Sequence, residues 1–200
     1  MAAVPSALDL FTQGPQTLIE DEEGGCRYFP DFVAHGQAAE WFAALREEVR
    51  WAQQRRPMYD RVVDVPRLTS GYLLERRDEM PVALVEVADA VRGTIDAPFT
   101  HVGLNFYRDG HDSVAPHNDK LETLIPPHPI VLVSLGEPRR MEIREKKPPR
   151  RVLRINLEPA SLLVMSHAMQ YRYDHGIPKT RHAVGPRISL AFRARPPKAE

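Results

Sequence analysis

The segment "VAPHNDK", residues 114–120, places His117 and Asp119 two positions apart. Imidazole and carboxylate groups both bind divalent transition metals, so the pair suits a metal site. It suits an ordinary polar turn after a proline equally well. With eight histidines and 27 acidic residues in a chain of 200, about one such pair is expected by chance. The pair therefore gains meaning only from the residues around it.

An extended backbone would bring both side chains to one face of a strand. A facial metal site needs a further ligand from elsewhere in the chain. Four downstream histidines are candidates: His128, His167, His175 and His182. Two histidines and one carboxylate with open positions form the facial triad of non-haem Fe(II) oxygenases, which leaves room for a bidentate cosubstrate and dioxygen.

The last β-type segment is "RISLAFR", residues 187–193, in which every second side chain points the same way. One face carries Ile188, Leu190 and Phe192, and the other carries Arg187, Ser189, Ala191 and Arg193. Two arginines separated by small residues can clamp a dicarboxylate, because each charge-assisted hydrogen bond contributes about 1.5–3 kcal/mol. The alternative is two surface arginines on an edge strand.

A second strand segment, "GLNFYRDG", carries Asn105 and Tyr107 on one face. Amide and phenol groups are good hydrogen-bond partners for carboxylate oxygens. A polar pair that is satisfied at the end of a strand is the alternative.

The elements that must position these residues are indicated by the hydrophobic pattern. Helical spacing predicts two amphipathic helices, over residues 35–53 and 81–93. From residue 100 onward, short β-type segments are separated by Gly, Pro and charged turns. Residues 1–25 read as an extended arm or an edge strand. The prediction is a mainly β fold with flanking helices (α+β), as a sandwich or a jelly roll.

Composition limits the function classes. The net charge is zero, so no global basic field indicates nucleic acid, and any polyanion must meet a local patch. Cys26 is the only cysteine, which excludes an internal disulfide and suits a reducing compartment. The N-terminal residues lack the pattern of a signal peptide, and the apolar stretches are too short to span a bilayer. We expect a cytoplasmic protein, or a nuclear one in a eukaryote.

The order of these features resembles the AlkB family of Fe(II)/2-oxoglutarate dioxygenases. Asn-x-Tyr is followed by His-x-Asp, a distal histidine and Arg-x5-Arg on a final strand. The phrases "YRDGHDSVAPHND", "VLVSLGEPRRMEIRE", "SLLVMSHAMQYRYDHGIP" and "PRISLAFR" are similar to the family, and "YDRVVDVPRLTSGYL" looks like its nucleotide lid. The resemblance covers roughly residues 25–195, and it implies a double-stranded β-helix, or jelly-roll, core.

The resemblance implies a role for each site residue. Fe(II) would be held by His117, Asp119 and His175. The carboxylates of 2-oxoglutarate would be clamped by Arg187 and Arg193, with help from Asn105 and Tyr107. Arg187 would meet the C5 carboxylate, and Arg193 would lie nearer to the metal and the target base. Dioxygen would be the second cosubstrate.

The chain departs from the family pattern at two places. On the last strand, Ser189 replaces an asparagine and Ala191 replaces a threonine, which removes an amide and a hydroxyl group from the cosubstrate pocket. After the aspartate ligand, many relatives carry further acids near the target base, whereas Lys120, Leu121 and Glu122 follow here. We expect cosubstrate binding to survive, and the choice of base stays open.

Two segments are candidates for nucleic-acid contact. Residues 139–154, which include Arg140 and Arg144, hold eight basic residues against two acids and can contact phosphates. The lid region, about residues 53–77, offers four further candidates, as base-contacting or wedging side chains: Met58, Tyr59, Arg67 and Tyr72. The alternatives are a solvated hairpin for the first segment and ordinary packing for the second.

The implied reaction is oxidative demethylation of N-alkylated bases, such as 1-methyladenine or 3-methylcytosine, in DNA or in RNA. The expected organisation is an N-terminal arm, residues 1–25, and one oxygenase domain, residues 26–200, with its jelly-roll core at about 100–195. We expect a monomer without a membrane partner. Two alternatives remain: an oxygenase that hydroxylates a protein, RNA or small molecule, and a non-catalytic nucleic-acid-binding protein.

Overall fold

The computed structural model describes residues 14–58 and 61–197 of the chain. Tyr59, the side chain of Met58 and residues 1–13 of the expected arm lie outside the described part. None of the helices in the described part has the length and apolar character needed to cross a bilayer.

Two antiparallel sheets form the body of the fold. The large sheet has the strand order β1-β2-β10-β7-β12-β5-β4-β3, and the small sheet has the order β6-β11-β8-β9. The strands of the large sheet are β1 (Gln16–Ile19), β2 (Cys26–Phe29), β3 (Ala52–Met58), β4 (Arg61–Leu73), β5 (His101–Tyr107), β7 (Ile130–Gly136), β10 (Ser161–Met165) and β12 (Arg187–Arg193). Those of the small sheet are β6 (Val114–His117), β8 (Arg139–Glu145), β9 (Val152–Leu157) and β11 (Tyr173–Ile177). This is the jelly roll that the sequence predicts.

Both predicted helices are present, together with a single turn near the site. They are α1 (His35–Glu48), α2 (Val82–Thr94) and the short α3 (Met169–Arg172). Neither α1 nor α2 has a side-chain cap, so packing of their apolar faces holds them in place. That packing joins Trp41, Leu45, Leu84 and Val87 to the outer face of the large sheet.

The large sheet is buried on both faces, which explains the continuous apolar runs in its central strands. Val131, Val133 and Leu190 face the helices. Leu132 and Leu163 face the small sheet, where they meet residues of β8 such as Ile143. The space between the two sheets is therefore the natural place for a buried site.

The N-terminal segment and the lid differ in detail from the sequence-based description. Residues 16–19 form β1, an edge strand that pairs with β2. The predicted loop and strand of the lid is one 13-residue strand, β4, which forms a hairpin with β3 and continues into pairing with β5. The lid is thus an extension of the large sheet.

Gly136, at the end of β7, provides a test of the close packing around the large sheet. Its φ is +82°, and a Cβ atom there would lie 2.5 Å from the Pro186 carbonyl oxygen and 2.7 Å from the Phe42 ring. We expect Gly136→Ala to lower the free energy of unfolding by about 1–3 kcal/mol, because strain and overpacking add. Urea unfolding followed by circular dichroism measures the change.

Gly93 near the end of α2 is the matched control, because nothing lies within 4 Å of its added Cβ. Gly93→Ala should raise the free energy of unfolding by about 0.5–1 kcal/mol, since alanine loses less backbone entropy. Equal effects of the two substitutions would contradict the packing described at Gly136.

Candidate active site

The arginine-bearing strand β12 lies in the centre of the large sheet. It pairs with β5 on one side and with β7 on the other, which sets Arg187 opposite Tyr107 and Ser189 opposite Asn105. Arg187 is only 1% exposed. The alternative of two surface arginines on an edge strand is therefore wrong, and the two polar strand faces form one wall.

Arg187 carries a buried charge with few partners. Its Nη2 donates to Ser134 Oγ at 2.9 Å, and its guanidinium lies 5.2 Å from the Tyr107 ring centroid. Nε and Nη1 have no hydrogen-bond partner among the described residues. Burial lowers the pKa of Arg187 and raises that of Tyr107. An unpaired buried guanidinium is costly, so this environment is built for an anion.

Arg67 stands at the junction of the lid and this wall. Its Nε donates to Asn105 Oδ1 at 2.6 Å, and its Nη1 donates to the Ser113 carbonyl oxygen at 3.4 Å. The sequence pattern grouped Arg67 with the nucleic-acid contacts. The structure sets it against the Asn105 amide, inside the same cavity as Arg187.

The two candidate histidines meet across a strand pair. His117 ends β6, His175 lies on β11, and the two are direct partners in the register. Their ring centroids are 4.6 Å apart. The Nδ1 atom of His117 is 3.0 Å from the Ala115 carbonyl oxygen, which suits the tautomer with a free Nε2 lone pair.

Asp119 follows β6 and faces the last strand. Its Oδ1 accepts from Arg193 Nη2 at 2.9 Å, and its Oδ2 accepts from Arg193 Nε at 3.0 Å. Burial alone would raise the pKa of Asp119, but the Arg193 guanidinium, with smaller effects of His175 and His117, holds it below the usual value. The carboxyl group is therefore ionised at neutral pH.

His175 is buried and uncharged. Burial, with a contribution from nearby His117, lowers its pKa to about 4. A neutral imidazole is the form that binds a metal ion. Over residues 14–58 and 61–197, no group of three or more His, Cys, Asp or Glu side chains is arranged to hold a metal ion as it stands. The bidentate contact with Arg193 uses one acceptor site on each Asp119 oxygen, and each oxygen keeps a second lone pair with which the carboxylate can join the imidazoles at a metal ion.

A cavity of about 230 Å³ connects these groups. It is lined by the clamp face of β12, by Asn105 and Tyr107, and by both histidines. The lining residues that bear on the chemistry are Arg67, Asn105, Tyr107, His117, His175, Arg187, Ser189, Ala191, Arg193 and Arg195. The predicted cosubstrate-binding set thus lines one space, together with Arg195, which no sequence motif indicated.

A buried glutamine supports the loop that carries Asp119. Gln170 is 1% exposed, and its Oε1 accepts from the Asp119 backbone N–H at 3.0 Å. Lys146 Nζ donates to Asn118 Oδ1 at 2.9 Å and to the Gln170 carbonyl oxygen at 2.7 Å. Both residues escaped prediction from the sequence, because neither has a periodic or motif signal.

A wider groove of about 770 Å³ opens beside the cavity. It runs between the lid hairpin and β6, and Arg67, Val114, His117 and Ile177 line both spaces. The groove also carries Arg55, Arg56 and Lys179. A large substrate placed there has access to the cavity at His117.

The other side chains that were predicted to contact nucleic acid differ in where the structure places them. Tyr72 is partly buried and packs against the core under the helices, which favours the alternative of ordinary packing over stacking on a base. Lys120, Leu121 and Glu122 are not among the side chains that line the cavity or the groove.

The basic hairpin is part structural and part surface. Arg139 is 3% exposed and donates to the carbonyl oxygens of Asp109, Asp112 and Pro178. Arg140 and Arg144 are exposed, and Arg144 pairs with Glu142.

A jelly roll with an anion-binding guanidinium beside two imidazoles and a carboxylate defines the class of cosubstrate-dependent oxygenases. The model of the 2OG-Fe(II) oxygenase superfamily matches residues 25–193. The human DNA oxidative demethylase ALKBH2 is 33% identical over 179 residues, covering 78% of this chain and 68% of the relative. The mouse alpha-ketoglutarate-dependent dioxygenase alkB homolog 3 is 29% identical over 183 residues, covering 82% and 64%.

Solved structures agree on the fold. OsALKBH1 has a TM-score of 0.61 at 14% identity and covers 90% of this chain and 100% of that one. A prolyl hydroxylase from Trichoplax adhaerens, in complex with a peptide fragment of the hypoxia inducible factor oxygen degradation domain, has a TM-score of 0.61 at 12% identity, covering 84% and 83%.

The chain therefore belongs to the 2OG-Fe(II) oxygenase superfamily and, within it, to the AlkB family. It is an Fe(II)/2-oxoglutarate-dependent dioxygenase, with dioxygen as the second cosubstrate. The chain spans about two thirds of the length of the curated relatives that it matches.

The two arginines of β12 should differ in their effect on the ligand-free protein. Arg187→Met removes two unpartnered buried donors, so we expect the free energy of unfolding to stay within about 1 kcal/mol or to rise. Arg193→Met leaves the buried Asp119 carboxylate unpaired and should cost about 3–5 kcal/mol. Chemical denaturation without metal or cosubstrate compares them, and a larger loss for Arg187→Met would refute the assignment of an unsatisfied anion site.

Proposed function

We propose that this protein removes N-methyl groups oxidatively from alkylated bases, such as 1-methyladenine and 3-methylcytosine, in DNA, with RNA as a second candidate polymer. One observation carries the proposal: the Arg187 guanidinium, with two donors that lack partners among the described residues, is buried in a cavity shared with His117 and His175. A groove lined by cationic side chains adjoins that cavity. The relatives named as DNA oxidative demethylases support the choice of substrate.

The donor set fits Fe(II). His117 and His175 are paired across two strands, and the ionised Asp119 carboxylate lies close enough to influence both. These residues would hold the metal while Arg193 keeps its hydrogen bonds to Asp119. The oxygen and nitrogen donors match the facial triad of this chemistry.

The arginine wall fits 2-oxoglutarate. Arg187 and the Ser134 hydroxyl group would receive the C5 carboxylate, and Asn105 and Tyr107 would border the rest of the cosubstrate. Ser189 and Ala191 leave this part of the cavity without the larger polar groups of many relatives. Arg67, which holds the Asn105 amide at 2.6 Å, adds a further positive charge beside it.

When bound, iron, 2-oxoglutarate and dioxygen would together oxidise a C–H bond of the substrate, and the 2-oxoglutarate would be converted to succinate and carbon dioxide. The protein has to present the methyl group of a base at the His117 end of the cavity. Oxidation of that methyl group gives a hydroxymethyl substituent on nitrogen, which leaves as formaldehyde while the nitrogen regains its proton or lone pair. The base must be out of its stack to enter a cavity of this size.

The groove supports a nucleic-acid substrate on electrostatic grounds. Arg56 and Lys179 lie along its length, and cationic side chains that contact phosphates make binding depend on salt concentration. The exposed Arg140 lies in a neighbouring depression that also includes Lys179. A monomer acting in the cytoplasm, or in the nucleus of a eukaryote, agrees with this role.

The metal and cosubstrate assignment can be tested by absorption spectroscopy. Anaerobic addition of Fe(II) and 2-oxoglutarate should produce the metal-to-ligand charge-transfer band of the ternary complex. His117→Ala should lose the band, because a ligand is removed. His35→Ala, an exposed histidine on α1 that pairs with Asp31, should keep it. An unchanged band in His117→Ala would rule out the assigned ligand set.

The substrate class can be tested with oligonucleotides that carry single methylated bases, offered in single- and double-stranded form. Formaldehyde should appear in equal amounts with succinate. The readout also covers the alternatives, because succinate without formaldehyde for every methylated oligonucleotide would indicate a protein or small-molecule hydroxylase. A protein that forms neither product would be a binding protein.

A further inference from the structure

The charged side chains that line the cavity are cationic. Four arginines line it: Arg67, Arg187, Arg193 and Arg195. No aspartate or glutamate is among its described lining residues. The carboxylate of Asp119, which contacts the lining residue Arg193, accepts a hydrogen bond from that guanidinium on each oxygen.

The adjoining groove repeats this pattern. Its charged lining residues are Arg55, Arg56, Asp64, Arg67 and Lys179. The single acid, Asp64, accepts from Arg55 Nε at 2.8 Å. Among the described residues, a base that passes from the groove into the cavity therefore meets no free carboxylate.

Binding of the cosubstrates does not reverse this balance. Ferrous iron brings two positive charges and 2-oxoglutarate brings two negative charges, so their sum is zero. In the proposed function the dicarboxylate would satisfy Arg187, which lines the cavity but not the groove. Arg195 keeps its charge, because a guanidinium group stays protonated in proteins.

Arg195 is held in place and has a free donor. Its backbone N–H donates to Thr100 Oγ1 at 2.9 Å, and its carbonyl oxygen accepts from the same hydroxyl group at 3.0 Å. These contacts fix the chain just after β12. The side-chain Nε is buried and has no hydrogen-bond partner among the described residues. Burial, with the nearby Arg193, lowers the pKa of Arg195, and the Asp119 carboxylate offsets only part of this effect.

Methylated bases differ in the properties that such a site reads. Methylation at N1 of adenine or N3 of cytosine leaves a positively charged ring at neutral pH. Methylation at N1 of guanine or N3 of uracil leaves a neutral ring with a carbonyl oxygen beside the methylated nitrogen. A cationic ring near arginines that lack a counter-ion is repelled, whereas a carbonyl oxygen accepts a hydrogen bond from a guanidinium donor.

We propose that this site selects neutral N-methylated bases over cationic ones, and that Arg195 is the selecting residue, which donates to the carbonyl oxygen next to the methylated nitrogen. The inference rests on the proposed demethylase function and ranks the substrates within it. It predicts that 1-methylguanine and 3-methyluracil are better substrates than 1-methyladenine and 3-methylcytosine.

The sharpest comparison uses two single-stranded oligonucleotides of identical sequence that carry either 3-methyl-2'-deoxyuridine or 3-methyl-2'-deoxycytidine. The two rings have the same shape and the same methyl position, and differ in the charge and in the group at C4. We expect kcat/KM for formaldehyde release to be at least about tenfold higher for the uridine. The repulsion between two unit positive charges a few ångströms apart near a protein surface is large enough to produce such a ratio. Anaerobic fluorescence anisotropy with Fe(II) and 2-oxoglutarate should show the same order of Kd.

Substitution of Arg195 should remove the discrimination. The ratio to compare is kcat/KM for the 3-methyluridine oligonucleotide divided by kcat/KM for the 3-methylcytidine oligonucleotide. Arg195→Gln keeps a donor without the charge and should reduce this ratio severalfold. Arg195→Glu should bring the ratio to one or invert it. Arg46→Glu makes the same change of net charge on the surface of α1, where Arg46 pairs with Glu47, and should leave the ratio as in the wild type.

The outcomes separate the two proposals. Equal or faster demethylation of the cationic base by the wild type overturns the inference and leaves the demethylase function intact. A ratio that Arg195→Glu does not change overturns the role of Arg195. Absence of formaldehyde from both oligonucleotides, with succinate still produced, overturns the proposed function and the inference with it.

Discussion

The buried charge of Arg187 is the constraint on which the rest of the structure depends. A guanidinium group in the interior is tolerated only with a strong compensating partner, and here the hydrogen bond to Ser134 leaves Nε and Nη1 without partners among the described residues. The group therefore requires a rigid frame, which the pairing of β12 with both β5 and β7 provides. In the proposed role, a dicarboxylate would satisfy these donors and offset their cost in the ligand-free protein, so stability and cosubstrate affinity would oppose each other at this residue.

Arg193 faces the opposite situation six residues along the same strand. Its charge is compensated by Asp119, and the pair is largely buried. The contact keeps Asp119 ionised and fixes its orientation, and each of its oxygens keeps a lone pair for the proposed iron ion. Residues that are an even number of positions apart lie on the same face of a strand, so Arg187 and Arg193 share a face of β12. One of these arginines has donors without partners, and the other is paired with a carboxylate.

Features that depend on local periodicity and on the order of motifs could be predicted from the sequence. Periodicity of two predicts the two faces of residues 187–193, and periodicity of 3.6 predicts both helices. The order of the motifs predicts the jelly roll and the shared cavity for Arg187, Asn105 and Tyr107. Partners chosen by tertiary packing could not be predicted. Tyr72 faces the core because β4 runs on into the large sheet, Arg139 is buried under three carbonyl oxygens, and Arg67 meets Asn105 across 38 positions. Nothing in a single sequence gives those pairings.

The support of the Asp119 loop shows how far such unseen contacts reach. Asp21 accepts from Ser166 Oγ, and Glu23 accepts from the Ala168 backbone N–H, each across 145 positions. Ser166 Oγ in turn accepts from the Met169 N–H at the start of α3, and the next residue, Gln170, accepts from the Asp119 N–H. The acidic segment that reads as an arm in the sequence is therefore connected by hydrogen bonds to the turn that positions Asp119. A change of charge at Asp21 would be felt first at α3, and through Gln170 at the proposed iron ligand, because buried polar networks transmit the loss of one partner to the next.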